Sequence, residues 1–206
     1  IAFQLHARHN ETIAPKLLPV GSKGRHASGW WGMLALVVTE AALFAYLLFS
    51  YFYIASQAHG PWPPDGRPSL LLAVTNTIIL IIGSLTIRYG ERGIQQGSRG
   101  RLMTGLLVTL VLGVVFLGLQ VLEWHNKSFS LTSGVYGSLY FTITGFHMAH
   151  VLIGLVMIAV LALWTSFDYF GAQRHAAVSI GAIYWHFVTV VWLAVFATFY
   201  VAPYLG

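Results

Sequence analysis

Five ionisable side chains stand at odds with their surroundings: Glu40, Glu123, His147, His150 and His186 each lie within, or at the edge of, a long apolar run. An ionisable group in such a setting costs a few kcal/mol or more, so each marks a candidate proton, lipid or partner contact. Glu40 sits about ten residues into its run, among Val37, Val38, Ala41, Leu43 and Phe44. There a carboxyl group is either protonated or paired with a donor from a neighbouring helix or a lipid headgroup. His147 and His150 are three apart and Gly154 follows one turn later, so all three share a helical face. Paired imidazoles raise a metal reading. Zinc or non-haem iron would want further His, Asp or Glu ligands, and a di-iron carboxylate site would want Glu-x-x-His on two helices, which this chain lacks. Haem ligation would need His147 or His150 to face His186 across a bundle. The alternative is that these histidines are satisfied by interior hydrogen bonds. Glu123-Trp124-His125 closes another apolar run near a membrane surface, where a carboxylate costs little, with Gln120 one turn away, and His186 with Thr189 suits an interhelical hydrogen-bond patch. No nucleophile elbow, phosphate loop or dinucleotide fingerprint occurs.

The elements that must position these groups are helices of membrane length. About 20 residues span the hydrocarbon core, and the apolar runs at 31–55, 70–88, 102–124, 136–165 and 183–204 all qualify. The fold class is therefore all-α, a polytopic membrane protein with a bundle of five transmembrane helices. Residues 1–29, with Pro15, Pro19, Gly21 and Gly24, read as a surface arm without a cleavable signal, and 30–206 as the transmembrane domain. Gly60-Pro61-Trp62-Pro63-Pro64-Asp65-Gly66 reads as a loop, as do Gly90-Glu91-Arg92-Gly93 and Gly97-Ser98-Arg99-Gly100.

With the N-terminus inside, the inner segments hold Arg8, Lys16, Lys23, Arg25, Arg88, Arg92, Arg99, Arg101 and Arg174, against Arg67 and Lys127 outside. That asymmetry predicts an inside N-terminus and an outside C-terminus. Trp30, Trp31, Trp62, Trp124, Tyr136 and Tyr204 fall near span ends, as interfacial anchors do. Gly105, Gly113, Gly118, Gly145 and Gly154 offer points of close helix approach. No inverted repeat or matched pair of broken helices argues for a transporter.

Composition agrees: of 206 residues 57% are hydrophobic, 15% aromatic and only 8% charged, with a mean hydropathy of +0.72. The absence of cysteine excludes disulfides and thiolate chemistry. A net charge of +5 is scattered through short loops, with no basic run or aromatic platform for nucleic acid.

Several blocks together resemble subunit III of the haem-copper cytochrome c oxidases, over nearly all the chain after residue 28. Gly32-Met33 with Glu40 eight residues after Gly32 is similar to the family helix whose membrane glutamate reacts with hydrophobic carbodiimides. Trp62-Pro63-Pro64-Asp65-Gly66 and Asn76-Thr77 follow as in the family, and so do Gly134-Val135-Tyr136-Gly137-Ser138, Thr144-Gly145-Phe146-His147 with His150-Val151, and Tyr184-Trp185-His186-Phe187-Val188 with Val190-Val191-Trp192. Gln120 and Glu123 also fall where the family has a glutamine and a glutamate. One departure is Thr189, where many members carry aspartate; threonine can hydrogen-bond but cannot hold charge.

The resemblance implies the short form that lacks the first two of seven helices, a bacterial inner membrane, and no cofactor on this chain. Haems and copper would reside in partner subunits. It further implies packing on oxidase subunit I, contact with subunit II and a small subunit IV, bound phospholipid, and support of proton uptake while the complex reduces oxygen to water. Glu40, Glu123, His147, His150 and His186 are then the lipid- or proton-related residues, with no metal site. Glu11, His26, Glu91, Asp168 and His175, with His6 and His9, gather on the inner surface as candidates for a proton antenna. Competing readings are the equivalent subunit of a quinol oxidase and a bis-histidine haem b anchor.

Overall fold

The structure, a computed structural model, describes residues 28–64, 66 and 68–205. Five long helices account for nearly all of it: α1 (Ser28–Gln57), α2 (Leu70–Gln95), α3 (Arg99–His125), α4 (Val135–Ser166) and α5 (Ala176–Phe196). α5 runs on through a π-turn, Ala197–Val201, into a short α6, Ala202–Leu205. Among the described residues there is no strand, only an isolated bridge between Gly171 and Arg174. All five helices are long and apolar enough to cross a membrane.

Two boundaries differ most from the sequence reading, for one physical reason. α2 passes straight through Gly90-Glu91-Arg92-Gly93 to Gln95, and α5 starts at Ala176 instead of 183. Glycine costs helix stability when exposed, but here it is where neighbours touch. A Cβ on Gly105 would lie 2.7 Å from the Thr86 carbonyl oxygen and 2.8 Å from Gly90 Cα. The backbones of α2 and α3 meet at that crossing, and this is the most extensive helix pair in the bundle. Similarly, a Cβ on Gly181 would lie 2.7 Å from Leu161 of α4. Helix–helix contact replaces what the glycines lose. The turn between α2 and α3 is left with only residues 96–98, and Ser28 and Gly29 belong to α1, not to an arm.

Trp185 of α5 occupies the bundle centre, 1% exposed. It lies against Gly83 of α2, Gly113 of α3 and Gly154 of α4; added Cβ atoms would stand 3.5, 2.8 and 3.0 Å from its ring atoms. Two of the glycines marked in the sequence as approach points are thus one slot for an indole. Gly118 has nothing within 4 Å of a virtual Cβ, and Gly145 makes only ordinary contact with Trp124 at 3.5 Å.

α1 packs mainly on α5 and α4 and is the least enclosed helix, with only Phe44 and Tyr51 buried. Its C-terminal end is held by an aromatic cluster: Tyr51 meets Phe199 at 4.7 Å and Trp62 at 5.8 Å, and Trp62 meets Tyr136 at 5.2 Å. Tyr136 is therefore a buried member of that cluster, while Trp31 and Tyr204 are exposed as interfacial anchors would be.

Candidate functional site

The two histidines on α4 are used in opposite directions. His150 Nδ1 lies 2.6 Å from the Phe146 carbonyl oxygen one turn back. A carbonyl only accepts, so that nitrogen carries the hydrogen and Nε2 is turned outward, 3.0 Å from Glu40 Oε2 on α1. Glu40 and His150 are thus hydrogen-bonded across the α1–α4 contact. The neighbouring-helix partner that the sequence left open for Glu40 is this ring. The Glu40 side chain is 29% exposed and that of His150 11%, so the pair sits at the bundle surface, with the Phe44 ring 5.1 Å from the His150 ring.

His147, one turn earlier, is fully buried. Its Nε2–H donates to the Val188 carbonyl on α5 at 3.1 Å, and Nδ1 has no partner. Phe116 and Trp192 rings close around it at 5.6 and 5.0 Å. His186 points elsewhere: its Nδ1 lies 2.5 Å from Ser84 Oγ on α2. The haem reading needed His186 opposite one of the α4 histidines, but three separate neighbours hold the three rings. Among the described residues no group of three His, Asp or Glu gathers as a metal site would require. Of the proposed His186–Thr189 patch, only His186 reaches another helix; Thr189 donates to its own helix at Trp185, 3.0 Å away.

Glu123 is buried, 3% exposed, where its position near a helix end suggested an inexpensive interfacial carboxylate. Its Oε1 accepts from Tyr200 at 2.5 Å and Tyr140 at 3.3 Å, and Lys127 Nζ lies 3.1 Å away. The two phenols lie 3.0 Å apart, and the Lys127 ammonium rides over their rings at 4.9 and 5.5 Å. The π-turn carries Tyr200. Pro203 follows it and lacks the N–H that a regular helix would direct back at that turn. Glu123 Oε2 is buried with no partner. Lys127, Tyr140 and Tyr200 were missed by sequence reasoning; the i,i+4 spacing of Glu123 and Lys127 was the available signal.

Further polar contacts join the same helices. Asn76 Nδ2 donates to Gln120 Oε1 at 3.2 Å, Trp192 Nε1 to Thr77 at 2.9 Å, and Trp124 Nε1 to Thr144 at 3.1 Å. At the other end, Asp168, in left-handed backbone conformation, pairs with Arg99, whose Nε also donates to the Phe170 carbonyl at 2.9 Å. The antenna candidates Glu91, Asp168 and His175 do lie at that end, on the last turns of α2 and in the α4–α5 connection. Asp168 keeps a largely exposed side chain within its ion pair. Glu11 and His26, with His6 and His9, lie outside the described residues.

Comparison with known proteins converges on one family. The sequence model described as "Cytochrome c oxidase subunit III" matches residues 23–204. Cytochrome c oxidase subunit 3 of Dugong dugon is 33% identical over 177 residues, covering 82% of this chain and 68% of the relative. The protein of the same name from Artemia franciscana is 34% identical over 174 residues, 82% and 67% of the two chains. That from Hippopotamus amphibius is 33% identical over 189 residues, 88% and 71%.

Proposed function

The chain belongs to the cytochrome c oxidase subunit III family, and from that premise we propose that it is the non-redox core subunit of a respiratory haem-copper oxidase. In this reading it packs on subunit I beside subunit II and a small subunit IV, holds phospholipid on that flank, and sustains proton uptake over many turnovers. Oxygen reduction belongs to the haems and copper of the partner subunits. The end of the bundle that carries Arg88, Arg92, Arg99, Arg101 and Arg174 is assigned to the inside by the positive-inside rule. The membrane assigned is a bacterial plasma membrane, by resemblance to five-helix members, although the relatives named above are animals.

The observation that carries the proton-related part is the Glu40–His150 bond. An isolated charge at hydrocarbon depth is costly. A carboxyl whose partner can take its proton exchanges that proton without leaving either group alone, and Glu40 faces outward where lipid or subunit I would meet it. The same bond also ties α1 to α4, so the test separates tether from proton exchange. Glu40→Gln keeps a donor for His150 Nε2 but has no exchangeable acid proton; Glu40→Ala loses both.

Oxygen consumption by the purified oxidase, followed over many turnovers, is expected to start near the parent rate in both variants. Early inactivation is expected in both, as in the complex stripped of this chain. A Glu40→Gln enzyme as durable as the parent would overturn the proton role and leave a tether.

A further inference from the structure

From the Gln95 end of α2 toward mid-membrane, Glu91, Arg88 and Ser84 follow one another on a single flank, at spacings of three and four residues. The His186 ring of α5 meets this flank at Ser84 Oγ, 2.5 Å from its Nδ1, and the charges of Glu91 and Arg88 both act on the ring. Arg88 is exposed, and Ser84, Glu91 and His186 are half-buried, so all four reach the bundle surface. Among the described residues Arg88 and Glu91 pair neither with each other nor with any other charge. Nothing there bonds His186 Nε2 either, and unlike His147 Nδ1 it is not enclosed. Three polar groups at membrane depth therefore stand open on one face without partners, where such groups are expected to have them.

The order of these groups carries the assignment. A helical rise of about 1.5 Å per residue puts Ser84 about 6 Å deeper than Arg88, and Glu91 about 4.5 Å shallower. An acid, then a cation, then a neutral donor complement an ammonium, a phosphate and an ester carbonyl, which is the order in which a glycerophospholipid with an amine headgroup presents its polar groups from the surface inward. We infer that the α2–α5 flank binds a phospholipid of the phosphoethanolamine class. The ammonium donates to the Glu91 carboxylate, the Arg88 guanidinium holds the phosphate, and His186 Nε2–H, with Ser84 donating to Nδ1, donates to an ester carbonyl. A lipid is the source because the flank continues as apolar surface. Ile81, 40% exposed, and Val190, 63% exposed, lie about one turn deeper than Ser84 and His186, and Leu85 beside them is 62% exposed, so acyl chains have a bed. A carboxylate from a partner helix would satisfy Arg88 and leave Glu91 unpaired. A trimethylated headgroup has no N–H to give Glu91 and a glycerol headgroup has no positive charge, so the site discriminates ethanolamine from both. The site lies on α2 and α5, apart from the Glu40–His150 pair on α1 and α4, and it names a lipid for the phospholipid-holding part of the proposed function, on which it rests.

The test uses the full chain in its purified complex, delipidated and returned to vesicles that contain a trace phosphatidylethanolamine with a photoreactive group on an acyl chain. Cross-linked peptides are located by mass spectrometry, and haem absorbance that co-purifies with the chain reports separately on the oxidase assignment. Labelling of segments 81–92 and 183–190 is expected, displaced by unlabelled phosphatidylethanolamine at several-fold lower mole fraction than by phosphatidylcholine or phosphatidylglycerol. Glu91→Gln should keep the labelling and abolish that preference, whereas Arg88→Gln should weaken labelling several-fold whichever lipid competes. Neither side chain holds the bundle together, so both variants fold and the comparison stays decisive. Equal displacement by ethanolamine and choline lipids in the parent, an ethanolamine preference that survives Glu91→Gln, displacement by chain-free phosphoethanolamine, or no labelling of this flank, as a partner subunit seated on it would give, would each overturn the assignment.

Discussion

Removing the cation from the Glu123 cluster is expected to be among the most costly single changes on the chain. Glu123 and Lys127 side chains are 4% and 14% exposed, so water and salt screen the pair weakly. Breaking such a buried pair from one side leaves an uncompensated charge, at a cost of about 3–5 kcal/mol. Tyr200 and Tyr140 still donate to Oε1 when Lys127 is gone, which puts Lys127→Met at the lower end, about 3 kcal/mol. Replacing both members, Glu123→Gln with Lys127→Met, removes both charges while the amide oxygen still accepts from Tyr200. That double change should cost about 1 kcal/mol, close to one ordinary hydrogen bond. The coupling in a double-mutant cycle is then about 2 kcal/mol or more, well beyond the few tenths expected of independent sites. Titration of the full chain from mixed micelles into denaturing detergent measures all four corners. Additive costs, or a Lys127→Met variant within about 0.5 kcal/mol of the parent, would refute the claim that this ion pair is buried and interdependent.

Trp185→Ala empties the slot formed by Gly83, Gly113 and Gly154 and should cost about 3–5 kcal/mol in the same titration; a loss below 1 kcal/mol would mean the bundle closes over the gap. Gly105→Ala sets a methyl against backbone atoms of Thr86 and Gly90 that cannot rotate away, at about 1–3 kcal/mol, whereas Gly118→Ala, facing open space, should be neutral or slightly stabilising in thermal unfolding. Thr189→Asp, which restores the residue common in the family, buries a carboxylate at a position 5% exposed and should destabilise the isolated chain by about 1–3 kcal/mol. Recovery of that loss on assembly would locate a donor in a partner subunit. Asp168→Asn should change stability by less than about 1 kcal/mol, since its side chain is 72% exposed.

The number and type of the helices were legible because lipid imposes length and apolarity, and both can be read from composition alone. Helix ends were not, where glycine carried the evidence. Gly90-Glu91-Arg92-Gly93 has the composition of a turn, and only the facing Gly105 and the side chain of Arg101 on α3 explain why the helix continues. The site was legible to the same degree. Glu40 announced the need for a polar partner, but its identity depended on how α1 lies across α4, which no local pattern encodes. The His147–His150 spacing fixed a common face without revealing that the two rings take opposite tautomers. Glu123 was misjudged because depth along a helix says how far a residue is from the membrane surface, not whether α4 and the π-turn cover it with tyrosines.

In lipid, apolar side chains gain little by choosing one another over acyl chains, so helices that are distant in sequence need directional contacts to find their places. α2 and α3, joined by three residues, are held in proximity by the chain itself, and glycine contact at Gly90 and Gly105 completes the fit. No short loop joins α1 to α4, α2 to α5 or α3 to the end of α5, and each of these carries a polar bond between side chains: Glu40–His150, Ser84–His186 with Thr77–Trp192, and Glu123–Tyr200. The residues that look most like chemistry in the sequence are thus also those that specify which helices meet. Their roles in assembly and in proton or lipid contact are separable only by substitutions that keep the hydrogen bond and change what it can exchange. Ser84→Ala with Trp192→Phe should loosen α2 from α5 while leaving the α2–α3 pair intact, seen as hydrogen exchange rising in α5 and not in α3; equal rises in both would refute this division between loop-held and bond-held pairs.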